Sequence, residues 1–556
     1  MGAQGGPDPA VGFCRGSAHP GDSRMARLIV SLLLIACAGS GAAAETSPVS
    51  PISLVPLDSL LGAHADSMGL SRLQLDERCW HLVEEINALG LIGRAETWAQ
   101  APASVHSKME LGPLTIQTWF DGEKGWISDR NGAFREAAGP ELEGMLVSAL
   151  FSTGAWLLQN PPVPLSFDID ADASTDSTFV ITCEPLFEKP LHIELRRDTL
   201  LPVGTLFSGS SGDQRSTFLE WGWYDGVRVT MASKVELAGL LTIHSSVLEI
   251  ERGEARPIEF FRPPAGSGQS TPDDLQFPGA VVSAPLIEDG LHLLVQGFIS
   301  DAAGEETPAV LLVDTGAGAN FLDAGVAERL GLESTGVVPT LGVGGHAESS
   351  FVTVSAVRIG ELRLLEQSWM ASDFSAIRSW FEHPPSAVLG YDFLSRTVLE
   401  VDYAAREIRL HDPRTFQAPV GAIAVPLRMD ANVPSIEASI EGNSGWLHVD
   451  TGSNSSLDLA SPFVLRHEML EGRETTAAGG LSGVGGTANS QRGRIATLEF
   501  GKITLTDVET GFNSSAETGI FSRDDIAGIL GAELLSKYHC WFDYPGRTLW
   551  LTTPTP

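Results

Sequence analysis

Two short segments hold the residues best placed to do chemistry. Leu312-Val313-Asp314-Thr315-Gly316 and His448-Val449-Asp450-Thr451-Gly452 each set an Asp directly after an apolar run and before Thr-Gly. A carboxylate there must leave its strand into a tight turn, because a charge kept within the sheet would be buried unpaired. Gly316 and Gly452 allow unusual backbone angles and close approach of the chain. The hydroxyls of Thr315 and Thr451 both donate and accept, so each can tie one turn to the other. If the two turns meet at a pseudo-two-fold axis, Asp314 faces Asp450. Two carboxyls that close cannot both ionise, and they share a proton. The ionised one takes a proton from a water held between them, and the other donates to a substrate carbonyl. The residues that follow differ: Ser453 after one motif, Ala317 after the other. A serine hydroxyl donating to Asp450 would favour its charged form, so Asp450 is expected to be the ionised partner and Asp314 the protonated one.

The elements that must position these turns recur as a set. Asp450 follows Asp314 by 136 residues (450 − 314). Three later landmarks share one offset of 141 residues (483 − 342, 501 − 360 and 531 − 390). They are Gly342-Val343-Gly344-Gly345 with Gly483-Val484-Gly485-Gly486, the Ile359-Gly360 and Phe500-Gly501 pairs, and Val388-Leu389-Gly390 with Ile529-Leu530-Gly531. Four landmarks in one order mark a tandem repeat, with units at 277–415 and 420–553. Each unit reads mainly as β, with buried-strand runs at 310–313 and 446–449 and alternating strands at 351–357 and 494–500. Short helices are expected after Gly390 and Gly531. Those two glycines can let a strand pass closely behind each Asp loop. The Gly-rich segments read as hairpin tips able to close over a cleft.

Asp-Thr-Gly, a Gly-rich flap and a hydrophobic-hydrophobic-Gly element in this order resemble the retropepsin-like aspartic proteases, here with both copies in one chain, as in the two-lobed pepsins. The resemblance implies β-barrel-like lobes, peptide-bond hydrolysis, Asp314 and Asp450 as the catalytic pair, and a Thr315–Thr451 hydroxyl network between lobes. It also implies a monomeric catalytic unit acting on a peptide or unfolded protein, with no cofactor. Neither Gly-rich segment carries the aromatic of pepsin flaps, and His346 beside one against Thr487 beside the other makes the cleft asymmetric.

The first half reads differently. Residues 25–44 have the charge, apolar run and small residues of an export signal, preceded by a Gly/Pro/Ser-rich start that makes Met25 a rival first residue. Two processing readings stay open: cleavage after Ala42-Ala43-Ala44, or a lipobox at Leu34-Ile35-Ala36-Cys37 that would acylate Cys37 and tether the protein to a membrane. The protein is accordingly expected to be exported, periplasmic or anchored to the cell envelope. Residues 45–268 hold an α+β domain and linker. Helical periodicity is read over 57–99, with apolar positions at 79, 82, 83 and 86. Antiparallel hairpins follow from Ser104 on, marked by Asp121-Gly122 and Asp225-Gly226 turns. Trp119-Phe120-Asp121-Gly122, Leu201-Pro202-Val203, Trp223-Tyr224-Asp225-Gly226-Val227 and Phe260-Phe261-Arg262-Pro263 occur in an order that resembles the bacterial lipoprotein-carrier fold, which implies a half-barrel sheet with an apolar concavity. Cys79, Cys183 and Cys540 allow either a Cys79–Cys183 bridge or three buried thiols.

Composition narrows the choice. Asp and Glu total 70 against 36 Lys and Arg, a net charge of −34. Nucleic acid is disfavoured, because phosphate binding needs cationic side chains. The two Gly-rich segments also satisfy G-x-G-x-x-G/A, but β-type sequence follows both, whereas a dinucleotide site needs a helix there. No His or Cys spacing suits a metal. The fold class expected is mainly β: two tandem acid-protease-like lobes after an α+β half-barrel sheet. The function expected is an exported aspartic endopeptidase. The alternative is an envelope lipid or lipoprotein carrier whose repeat is a docking module.

Overall fold

The computed structural model describes residues 55–70, 78–157, 165–184, 190–209, 212–237, 240–264, 273–343, 345–477, 481–483, 486–488, 490–516 and 519–553. The export signal, Met25, Cys37, Gly344, Val484 and Gly485 lie outside these residues. The protein is mainly β.

Residues 79–253 form one antiparallel 13-stranded sheet in which the first strand, Cys79–Ala88, pairs with the last, Leu241–Gly253. The helices Leu57–Met68 and Pro140–Thr153 contribute to its core. The Asp-Gly turns are hairpin turns as expected. Asp225 and Gly226 both have positive φ, 49° and 80°, as a two-residue turn matched to strand twist requires.

One expectation fails. The helix Leu57–Met68 exists and stops at Gly69, whose φ is 75°, but Cys79–Ala88 is a central strand and Leu91–Gln100 the antiparallel strand beside it, not helices. Trp80, Leu82, Glu84, Ile86 and Ala88 are all buried, a period of two. Glu84 stands in an apolar position and hides that period. Burial of Cys79 and Val83 on the opposite face imitates helical spacing. Burial pushes the Glu84 carboxyl up to about 7, against a hydrogen bond from Ser245. Cys79, Cys183 and Cys540 are buried thiols outside any disulfide, so the Cys79–Cys183 bridge is not formed.

The repeat gives a ten-stranded sheet in the first lobe and an eight-stranded sheet in the second. A six-stranded sheet joins them. Val281–Pro285, Val398–Asp402 and Glu407–His411 come from one lobe, and Ile423–Pro426, His539–Asp543 and Thr548–Thr552 from the other. At its centre Val398 opposes Asp543 and Val401 opposes Cys540, in antiparallel register. This is how equivalent strands meet across a two-fold axis. A single hydrophobic cluster runs through both lobes and this sheet. The short helices after the repeated glycines are Tyr391–Leu394 and Ala532–Leu535.

Candidate active site

The strands Glu306–Val313 and Asn443–Asp450 deliver the two Asp-Thr-Gly turns to the axis. Each runs parallel to the strand ending in its paired glycine: Val313 opposes Leu389, and Asp450 opposes Gly531. A Cβ on Gly390 would collide with the Ala317 and Ala319 carbonyls, and one on Gly531 with the Ser455 carbonyl. Only glycine lets the backbones pass this closely.

The threonines lock the turns together reciprocally. Thr315 Oγ1 donates to the Val449 carbonyl at 2.7 Å, and Thr451 Oγ1 donates to the Val313 carbonyl at 3.2 Å. Each hydroxyl also accepts the other threonine's N–H, at 2.9 and 3.1 Å. Both residues are 0% exposed, so these bonds meet no competition from water. The Tyr544 hydroxyl adds a bond to the Thr315 carbonyl at 3.4 Å.

Asp314 and Asp450 thereby face one another. The Asp314 carboxyl approaches Gly452, and the Asp450 carboxyl approaches Gly316. Gly316 N–H donates to Asp314 at 2.8 Å; Gly452 and Ser453 N–H donate to Asp450 at 2.8 and 3.1 Å. Burial raises both carboxyls above the usual carboxylate range. Burial first, and then the Asp314 charge beside it, push Asp450 up to about 8. Backbone N–H groups of Gly316, Gly452 and Ala317 oppose the rise at Asp314. The two carboxyls form one coupled, buried pair that shares a proton.

The hydrogen bond expected from the Ser453 hydroxyl to Asp450 is not formed. That hydroxyl pairs with the Ser455 hydroxyl at 2.8 Å, and only the Ser453 N–H serves Asp450. Ser453→Ala is thus expected to leave the acidic limb of any kcat/KM profile in place, within about 0.3 pH units, where a lost hydrogen bond to a charged group would move it by about one. Activity that needs the shared proton falls as pH rises through about 8. A pH–rate profile of wild type and Ser453→Ala checks both limbs.

A cleft of about 850 Å³ opens over the dyad, lined also by Gly316, Gly452, Ser453, Gly342 and Val343. The first Gly-rich segment is a hairpin tip between Thr335–Leu341 and His346–Val354. It reaches across the cleft, where Ile520 N–H of the second lobe donates to the Gly342 carbonyl at 3.2 Å. Gly345 is part of this turn, its carbonyl accepting the Gly342 N–H at 2.8 Å. In the second lobe, Gly483 pairs with Gly486 in a corresponding two-stranded hairpin. Strands rather than helices follow both segments, as hairpins require.

Several residues in or behind the cleft were not singled out from sequence. His292 of the first lobe accepts a hydrogen bond from the Asn454 amide of the second at 3.0 Å, and burial lowers its pKa. Asn320 is fully buried; its side chain accepts the Gly390 N–H at 2.9 Å and its own N–H donates to Asp392 at 2.7 Å. Ser128, Asp129 and Arg130 reach the cleft from the N-terminal sheet. The wording of the repeat could have flagged Asn454 and Asn320, which follow the motifs within a few residues. Nothing local marks the others. His448 borders the cleft but is buried and bound to Asp430 at 2.9 Å.

No curated protein matches the chain. Among solved structures, an aspartic proteinase from Irpex lacteus aligns over 50% of this chain and 98% of its own, at 16% identity and a TM-score of 0.34. Residues 300–393 and 436–534 match the aspartyl protease family model. Each matched segment contains one Asp-Thr-Gly turn and the glycine packed behind it, so the second half of this chain is similar, repeat by repeat, to the aspartyl proteases.

Proposed function

We propose that the protein is an exported aspartic endopeptidase that hydrolyses peptide bonds with a water activated between Asp314 and Asp450. The single observation behind this is the pair of buried carboxyls, facing across a reciprocal threonine lock at the foot of a cleft. Match to the aspartyl protease family in both segments supports a protease-type function. The ionised carboxyl of the pair takes the water proton, and the protonated one donates to the scissile carbonyl oxygen. Hydroxide attack on the carbonyl carbon gives a tetrahedral diol, whose collapse returns a proton to the leaving amine. The threonine lock keeps the two carboxyls facing and in reach, the positioning that general acid–base catalysis needs.

The carrier reading fits less well. The cavity between the helices and the N-terminal sheet, lined by His64, Trp80, Trp156 and Val229, measures about 60 Å³ among the described residues. That is room for a few waters, far short of an acyl chain. Cleavage of an unfolded protein between pH 3 and 8 by wild type, and its loss in Asp314→Asn, tests the peptidase reading; lipid co-purifying with no proteolysis would favour the carrier.

Both half-sites lie in one chain, so the proposed catalytic unit is a monomer. Specific activity is expected to stay constant within about twofold over a hundredfold dilution. A steep loss would show that the dyad forms between chains.

A further inference from the structure

The cleft is not walled by the two lobes alone. Its lining continues from the dyad, under the first-lobe hairpin, to Leu114, Ile116 and Ile127 of the N-terminal sheet. These side chains share one hydrophobic cluster with Ala319, Val338 and Met370 of the first lobe, and Phe321 packs against it. All seven border the open volume.

The junction is built to hold its shape. Val337 N–H, on the first-lobe hairpin, donates to the Leu89 carbonyl of the N-terminal sheet at 3.0 Å. Asn131 and Ser368 exchange two hydrogen bonds, each at 3.0 Å. Arg396, fully buried, donates to the Asn131 carbonyl at 2.6 Å, and Arg130 pairs with Asp392. The other end of the cleft has the opposite character. Where the first lobe places Leu322, the same spacing after the second motif places Asp458, which borders the cleft with Arg492 at 3.1 Å and Glu509 nearby.

We propose that the N-terminal sheet is part of the substrate site. Ile116 and Ile127, with Phe321, Val338 and Met370, form a pocket that selects a bulky apolar side chain of the peptide on the first-lobe side of the dyad. This rests on the peptidase reading and names its substrate class. An aliphatic floor beside an aromatic ring and a thioether gains by excluding water from apolar surface. These five side chains offer no polar atom to a charged or amide side chain, which would be desolvated against them without compensation; Ser128, Asp129 and Arg130 of the same sheet also border the cleft, with Arg130 already paired to Asp392. The N-terminal domain is on this account a specificity element, and neither a separate carrier nor a removable cover.

The test uses the full chain with Ile116→Trp, which fills the pocket, and Ile116→Ala, which enlarges it. Positional peptide libraries give the wild-type preference. Hydroxyl-bearing, non-cleavable peptides with either a bulky or a small apolar side chain at that position then give binding constants. Filling is expected to cut kcat/KM and affinity for the bulky peptide by about 10–100-fold, the range a few methylenes command in an apolar pocket. The small-side-chain peptide should change by less than about threefold. Enlarging is expected to shift preference towards larger side chains. Equal losses on both peptides, or unchanged preference in both variants, would overturn the proposal. Binding preferences that shift as expected, in a wild type that cleaves nothing, would keep the pocket and remove the peptidase reading. If Ile116→Trp does not fold, Ile116→Ala alone decides by the direction of its shift.

Discussion

Asp314→Asn and Asp450→Asn are each expected to lower kcat/KM by about 10²–10⁴-fold or more, the order attributed to a positioned acid or base. An amide at either position can neither take the water proton nor hold the shared one. The two groups act as one device, so the double variant should be no worse than the more damaged single variant. Stability should hold or rise slightly. The pair faces within a buried turn, burial holds both pKa values above the ordinary range, and an amide removes the charge that pushes on its neighbour. Single-turnover assays on all three variants, with denaturant unfolding alongside, decide the matter. Substantial activity in Asp450→Asn would mean that the second turn does not serve the chemistry.

The largest stability effect is expected at Arg135. Its guanidinium forms a two-pronged pair with Glu141 at 2.6 and 2.7 Å and donates its Nε–H to the Asn432 side chain at 3.0 Å. The two charged side chains are 6% and 1% exposed. Arg135→Met would leave the Glu141 charge buried without its partner, a change that costs about 3–5 kcal/mol. Adding Glu141→Leu removes that orphan charge and should recover most of the loss, because a buried ion pair often stabilises no more than apolar residues of similar volume. Urea unfolding of the single and double variants gives the comparison. A double variant as unstable as Arg135→Met would place the loss in the Asn432 bond instead, which joins the N-terminal domain to a cleft-lining residue of the second lobe.

The facing of the two Asp-Thr-Gly turns was legible because the repeat states it twice in order, and each element has a local physical reason. The partner of the Ser453 hydroxyl was not. Ser453 had two acceptors within reach, and the choice of Ser455 over Asp450 depends on the fold of the loop. Strand Cys79–Ala88 was misread because Glu84, a charged residue, sits buried in its apolar row, and because both faces of that strand are covered. Leu114, Ile116 and Ile127 are alternating apolar residues like those of any hairpin. Nothing in such a pattern says that the volume they border belongs to a cleft formed some 200 residues later in the chain (314 − 116 = 198).

The six-stranded sheet makes the covalent link between the lobes nearly redundant. Its strands from the two lobes meet at the Val398–Val401 and Cys540–Asp543 pairing, and neither strand contains the connection from Asp412 to Ala422. Severing the backbone there would break no strand pairing in that sheet. The two fragments would associate as unlike halves of one dimer, each bringing one aspartate. In that nicked form activity would acquire the concentration dependence that the intact chain is expected to lack. A single peptide connection thus converts a second-order assembly into a first-order one.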